Sequence, residues 1–558
     1  MSIGGEVSKS LERRYADFAM IREPFLSRAK RCSALTIPSL IPNSTGTNYR
    51  HNGGESFDVP WQSMGSRCVN NLASKLMLTL LPPNVPFFRL VVQRSGMYKD
   101  MAEQDPELSS EIERGLSKIE RLVVEQSAAS SDRVVIHEAL KHLIVGGNAL
   151  LYIPGKDEPA RCYHLPDYVV RRAPNGDVLE IIIREAVTFA SLPDGVKSVI
   201  LESVSTEGAE KLPGSARHDA AVGLSRDSTT RIIDIYTGIR RDEAANRWLV
   251  RQECHDVLIP GSDGSYPIDA CPWIPMRFIR VDGEDYGRSY VEEYYGDISS
   301  LDALYQALVE GAAACAKLLF MISPNSIIKA DDIAEAPNLG FVTGSREDVT
   351  VLQAEKYGDF RVTKEMIAEL ERRLAHAFIL NSAVQRDGER VTAEEIRRMV
   401  EDLEAALGGV YSLMAVEFQL PYVQVRLRQL EEAGVLPELP KGLVKPAIVT
   451  GVEALGRGND KTKLLELGES VQRILGPEAL AKLINPTEFL RRLISASGVD
   501  EDNLLVSQEE LQQGTEQAQV LDMVEKLGPE AIRTMGNMAQ DDPAALQAAA
   551  SNIEIPTQ

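Results

Sequence analysis

The chain has 558 residues, 44% hydrophobic and 25% charged, with a formal net charge of −22 from 60 Lys and Arg against 82 Asp and Glu. That length gives room for several domains with ample core, and the composition is that of an ordinary soluble protein. Proteins that grip nucleic acid through its phosphates draw their affinity from Lys and Arg, so the acidic balance excludes a general DNA-gripping role. Part of the acidity is local, because 498–558 holds 12 acidic and 2 basic residues. The cysteines Cys32, Cys68, Cys162, Cys254, Cys271 and Cys315 are scattered, which fits neither a zinc site nor a disulfide framework and points to synthesis in a reducing cytoplasm. The start of the chain has no apolar signal region, and no apolar run is long enough to span a bilayer.

From the start to about Ile153 the pattern is helical. Leu11, Tyr15, Phe18, Ile21 and Phe25 form one stripe, Trp61 to Leu81 a second that stops at Pro82-Pro83, and Asp132 to Val145 a third helix. Arg13, Arg14, Arg22, Arg28, Lys30 and Arg31 make the first helix basic and are read as a solvated face. From Ala149 to about Asp282 strands replace helices: ALLYI, YVVRR, VLEIIIREAVTF, RIIDIYTGI, RWLVRQE and PMRFIRV are rich in β-branched and aromatic residues. Pro174-Asn175-Gly176-Asp177 is a hairpin turn between two of them.

Helix returns at Ser289 and is expected to run to Ile322, with a stripe through Val291, Tyr294, Ile298, Leu301, Tyr305, Leu308, Ala312, Cys315 and Leu319. Its latter half is small and apolar on every side, as in a helix buried between neighbours, and those neighbours can be other copies of itself. A short α/β insert follows Pro324, with strand-like SIIK, GFVTG and VTVLQ around an acidic DDIAEAP, and a further helix covers Val362 to Leu380 with Ile367, Leu370, Leu374 and Phe378 on its apolar side. After a charged turn, Thr392 and Glu395 form a capping box that opens one long helix through Ile396, Met399, Leu403, Leu407, Met414 and Phe418. Gly408-Gly409 and Pro421 are its expected bends, and about 40 residues would make a rod roughly 60 Å long. Shorter helices run to Ser497, and beyond Thr515 the sequence thins into Gln, Ala and acidic residues.

Catalytic signatures fail. His137 and His142 are five apart, which puts their imidazoles about 140° from one another around the helix, so they read as ordinary helix histidines rather than a zinc pair. Gly451 to Gly458 resembles the opening of a P-loop but lacks the GK[ST] end that holds phosphate and magnesium. Neither a nucleophile elbow nor a dinucleotide fingerprint occurs in context. No enzyme, cofactor or resident metal is expected, which weighs against a packaging ATPase or nuclease.

The segments TIPSLIP from Thr36, PWQSMGSRCVNNLASKLMLTLLP from Pro60, GSDGSYPIDACPWIPMR from Gly261, YGRSYVEEYYGD from Tyr286, LNSAVQRDGERVTAEEIR from Leu380, LGGVYS from Leu407 and IVTGVEALGRG from Ile448 carry a resemblance. In this order along the chain they are similar to the portal, or head-to-tail connector, proteins of short-tailed, autographivirus-like podoviruses. The resemblance implies an α+β portal fold with a β-rich wing, helical stem, small α/β clip and α-helical crown, assembled as a ring of twelve at one vertex of the head. On that plan 1–288 is the wing, 289–323 the first stem helix, 324–360 the clip, 361–380 the second stem helix and 381–391 the channel loop. The long kinked wing/crown helix is then 392–431, the crown 432–515, and 516–558 an acidic tail.

The implied function is a conduit for double-stranded DNA in packaging and ejection. The terminase large subunit docks on it during packaging; tail adaptor and tail tube proteins, capsid, scaffolding and internal core proteins are the other partners, and the virion is the destination. Several residues follow from this plan. Ala312, Ala313, Ala314 and Ala316 would let stem helices of neighbouring copies approach closely, or else pack within the chain. Arg386 and Arg390 would form positive rings at a constriction, or else pair with Asp387 and Glu389. Asp331, Asp332 and Glu335 in the insert would face outside the head as a docking surface. The alternative to a conduit is a non-conducting scaffold of the head built from long helices.

Overall fold

A computed structural model describes residues 10–42, 58–82, 86–92, 106–129, 132–155, 158–198, 232–254, 256–315, 319–324, 349–352, 357–380, 407–436 and 444–448, with single positions and short turns within 329–347 and 467–490. The chain divides into two compact units, Met1–Leu455 and Gly456–Gln558. In the second, helical turns are described at 467–470 and 489–490, and Gly468 lies against the Phe489 ring.

The first unit opens with α1 (Leu11–Leu35), α2 (Met64–Leu80), β1 (Phe88–Val92), α3 (Pro106–Ala129) and α4 (Asp132–Gly146). Then come β2 (Asn148–Tyr152), β3 (Arg161–Tyr163), β4 (Tyr168–Arg172), β5 (Val178–Thr188), β6 (Ile232–Asp242), β7 (Arg247–Cys254), β8 (Val257–Leu258), β9 (Gly264–Pro267) and β10 (Trp273–Arg277). The six strands from β4 to β9 make one antiparallel sheet in the order β4-β5-β6-β7-β8, with β9 also on β7. A second sheet has the order β10-β2-β3.

The run Ile181-Ile182-Ile183 shows why this sheet reads as continuously apolar. Side chains alternate across a strand, so Ile182 meets Leu11, Tyr15 and Phe18 of α1, while Ile181 and Ile183 join Leu26, Trp248 and Trp273 on the other face. Gly238 of β6 permits the closest of these approaches, since a Cβ there would sit 2.6 Å from a Leu11 methyl. The β4–β5 hairpin turns at 173–177 with Gly176 at φ +95, where the turn signal was expected.

The reading of the α1 basic residues as a solvated face is corrected at two positions. Arg14 is buried against the Glu180 carboxylate, and Arg22 is buried while donating to the carbonyls of Leu165, Pro166 and Tyr168 and to the Tyr15 hydroxyl. Both sit on the same side of α1 as its apolar stripe, so their guanidiniums cap the ends of strands that the stripe covers.

Beyond β10 lie α5 (Tyr290–Glu293), α6 (Tyr295–Cys315), β11 (Leu319–Ile322), β12 (Val349–Leu352) and α7 (Tyr357–Ala377). Ser289 caps the first of these, its hydroxyl accepting the Glu292 N–H at 2.9 Å. The expected helix through Ile322 stops earlier. Leu319–Ile322 is a strand paired antiparallel with Val349–Leu352, because a four-residue run of Leu, Phe, Met and Ile finds its backbone partners across a ladder as readily as along a helix.

The long helix is described from Leu407. Gly408, at φ +45, breaks it, and it resumes as α8 (Gly409–Met414), a π-helical segment (Ala415–Gln419) and α9 (Leu420–Glu432). Pro421 has no N–H for the Glu417 carbonyl and would crowd it, and a wider turn just ahead of the ring relieves both problems. The capping box at Thr392 and Glu395 and the acidic tail lie outside the described residues. Finally β13 (Val444–Ile448) returns to pair antiparallel with β1.

Candidate functional site

Helices α6 and α7 form an antiparallel hairpin that carries β11 and β12 at its far end. Tyr305 donates to the Glu371 carboxylate at 2.6 Å, Arg373 pairs with Asp297 at 2.9 Å, and the Tyr290 hydroxyl donates to the Ala377 carbonyl at 2.9 Å. The bond to Glu371, reinforced by burial, raises the Tyr305 phenol to about 12, so it stays a donor at any ordinary pH. Toward the far end Gly311 lets the Phe360 ring lie on the helix, where a Cβ would sit 2.8 Å from a ring carbon.

The other side of α6 is uncovered. Ala303, Ala307, Val309, Ala312, Ala313 and Ala314 are exposed, and between Ala303 and Cys315 the single charged residue is Glu310. An apolar helix side left to water in one chain has the form of a contact for another. Small residues there would allow a second helix to approach closely. Ala312 and Ala313, expected at a ring interface, are both exposed, Ala313 on this side and Ala312 in line with Tyr305 beyond the last contact with α7; Ala316 lies outside the described residues.

In the insert, Asp331 and Glu335 are exposed, and the Glu335 N–H donates to the Asp331 carbonyl at 2.9 Å, one turn of helix. Asp332 lies outside the described residues, as do Arg386 and Arg390 of the expected channel loop. Sequence reasoning passed over two exposed apolar residues in this part of the chain. Phe341 is fully exposed and Met321 of β11 is 55% exposed. Phe341 stands in GFVTG, whose apolar letters read as strand, and a one-chain pattern cannot say that a strand-like residue will be left uncovered.

Two buried charge clusters tie the π segment and α9 to the elements packed against them. Glu417 accepts from the Arg277 backbone N–H at 3.0 Å and from its guanidinium at 2.5 and 3.0 Å, and lies 3.8 Å from Arg172. Arg172 is tied further to the carbonyls of Asp285, Gly176 and Pro275. Burial lowers Arg172 to about 10, with Glu417 pulling the other way. In the second cluster Asp132, at the start of α4, accepts from Tyr422 at 2.7 Å and from the Arg426 guanidinium. Burial opposes the charge on Arg426, and Asp132 and Tyr422 together more than offset it, so the guanidinium is held above its ordinary value. The first cluster joins the π turn to β10 and β4, and the second joins α9 to the start of α4.

Comparison with known proteins gives a coherent picture. A family model described as bacteriophage head to tail connecting protein matches residues 8–505. The portal protein of Enterobacteria phage T3 is 40% identical over 96% of this chain and 95% of its own length, and the portal protein of Escherichia phage T7 is 40% identical with the same coverage. The portal protein of Enterobacteria phage SP6 is 30% identical over 92% of this chain and 93% of its own. Among solved structures, a chain from the neck of an empty GTA particle covers 79% of this chain and 94% of its own at 9% identity and a TM-score of 0.35, too slight a likeness to define the fold.

Proposed function

This chain belongs to the bacteriophage head-to-tail connecting proteins, a structural and not an enzymatic family, and on that premise we propose that it forms a dodecameric ring at one capsid vertex through which duplex DNA enters and leaves the head. Similarity to phage portal proteins over 96% of the chain carries the reading. The uncovered side of α6 supports the assembled state, since a ring requires one surface of each copy to meet a different surface of the next, and a bare apolar helix supplies one half of that contact. No described helix is long and apolar enough to cross a membrane.

In this reading α6 and α7 are the stem and the insert with β11 and β12 is the clip. Residues 1–288, helical and then strand-rich, are the wing, the long kinked helix 392–431 leads to the crown at 432–515, and 381–391 is the channel loop. The acidic balance suits a conduit. A channel dense in Lys and Arg would hold DNA and stall it, whereas a net charge of −22 per copy keeps contact sparse and nonspecific. Arg386 and Arg390 supply the few basic contacts, and Asp331, Asp332 and Glu335 offer the outer surface to the terminase large subunit and later to tail proteins.

Electron microscopy of the purified protein tests the proposal directly. Rings with a central hole wide enough for duplex DNA are expected, whereas filaments or dimers would favour a non-conducting scaffold. In phage particles, Arg386→Ala is expected to leave ring assembly intact while reducing packaged or retained genome. Full genome content at normal yield would remove Arg386 from the channel.

A further inference from the structure

We propose that Glu138, His142 and His164, brought together where α4 meets the turn after β3, form a binding site for a divalent transition-metal ion of the zinc type. Residues four apart on a helix lie one above the other, so Glu138 and His142 share one side of α4. His164 follows β3 in extended conformation, at φ −81 and ψ 154, and is set there by the short 3-10 turn Leu165–Asp167 that comes next. This places the His164 imidazole 4.1 Å, centroid to centroid, from that of His142 and its Nε2 3.1 Å from a Glu138 carboxylate oxygen. One ligand atom from each of the three lies within 4.8 Å of the other two. His137, the histidine whose spacing from His142 is wrong for a metal, is not a member; its Nε2 lies 3.4 Å from the Ser74 hydroxyl.

The donor set selects the ion. Two imidazoles and one carboxylate suit zinc and its first-row neighbours, while magnesium and calcium prefer sites built from oxygen alone. A tetrahedral zinc with bonds of about 2.0–2.2 Å needs its ligand atoms about 3.3–3.6 Å apart, between the 3.1 Å observed for Glu138 and His164 and the 4.8 Å outer limit of the cluster. Burial is graded across the group: His142 is fully buried, His164 partly so and Glu138 exposed. Such a site has a protein-lined floor and an open mouth where water would fill the fourth position. A bound ion would tie α4, which packs beneath α1 and α2, to the turn that leads into the large sheet.

The test uses the untagged full-length protein, stripped of metal by chelation and titrated with zinc, and with cobalt as a spectroscopic reporter. One zinc per chain, a rise in melting temperature and visible absorption typical of four-coordinate cobalt are expected. Glu138→Gln and His164→Asn alter the more exposed ligands, so that folding, checked by circular dichroism, should persist. Each is expected to weaken zinc binding by at least about tenfold, while His137→Gln binds as the parent does. No saturable uptake at micromolar metal, or equal uptake by both ligand variants, would overturn the site. Should a variant fail to fold, the cobalt spectrum of the parent still decides: its absence removes the proposal.

Discussion

Glu417 shows how much one side chain can carry when its partners come from far away in sequence. Its carboxylate is the shared counter-ion of Arg277 and Arg172, both nearly inaccessible to water. Removing one member of such a group leaves a buried charge uncompensated, so Glu417→Gln is expected to cost about 3–5 kcal/mol of stability, read from urea unfolding. A second residue-scale prediction comes from groups buried in neutral form. Burial raises Cys32 to about 11 and Cys68 and Cys254 to about 12, from an ordinary 9.0, and lifts Tyr168 well above 10.0. Each folded value lies above the unfolded one. The stabilisation from keeping these groups neutral is therefore complete below the unfolded values and is lost as pH rises toward 11 to 12. The urea midpoint should hold up to about pH 9 and fall beyond it; a midpoint that climbs between there and pH 11 would contradict the assignment. None of these partnerships is visible in a one-dimensional pattern. Arg14 and Arg22 looked solvated because a charge on a helix usually is, and only the strand ends beneath them supply acceptors.

Elements were legible wherever their period was long and uninterrupted. The first turns of the α1 stripe, the helix start at Ser289 and the β-branched strands β5 and β6 announce themselves in sequence, whereas Ile21, expected on that stripe, is exposed and the buried face runs on through Arg22 and Leu26. Leu319–Ile322 was not legible, because four apolar residues after a long apolar helix fit either continuation, and pairing with Val349–Leu352 decides between them. The π segment was equally hidden. Pro421 signals trouble in the preceding turn without saying whether the helix bends, breaks or widens. At this scale the hairpin of α6 and α7 separates two roles that a single apolar helix confuses. Ala313→Arg, on the uncovered side, is expected to leave the monomer folded and abolish rings, checked by circular dichroism beside electron microscopy. Rings formed by that variant would place the contact elsewhere. Gly311→Val, on the side facing Phe360, should instead destabilise the chain itself, because the added carbon meets the ring at 2.8 Å.

For the molecule as a whole, the balance of charge makes a prediction about DNA. A protein with a net charge of −22 should not retain free linear duplex in a binding assay at about 0.2 M salt, since phosphate contacts weaken steeply as salt rises. Tight retention under those conditions would be incompatible with a slippery conduit. The pairing of β1 with β13 bears on a different property, the timing of folding. Phe88 lies opposite Ile448 and is fully buried, so a strand made early waits for one made after most of the chain has left the ribosome. Closing so long a loop is slow and exposes apolar surface meanwhile. A nascent chain that stops short of Val444 thus leaves β1 an open edge, and this late closure delays completion of the fold in any copy that is not yet fully translated.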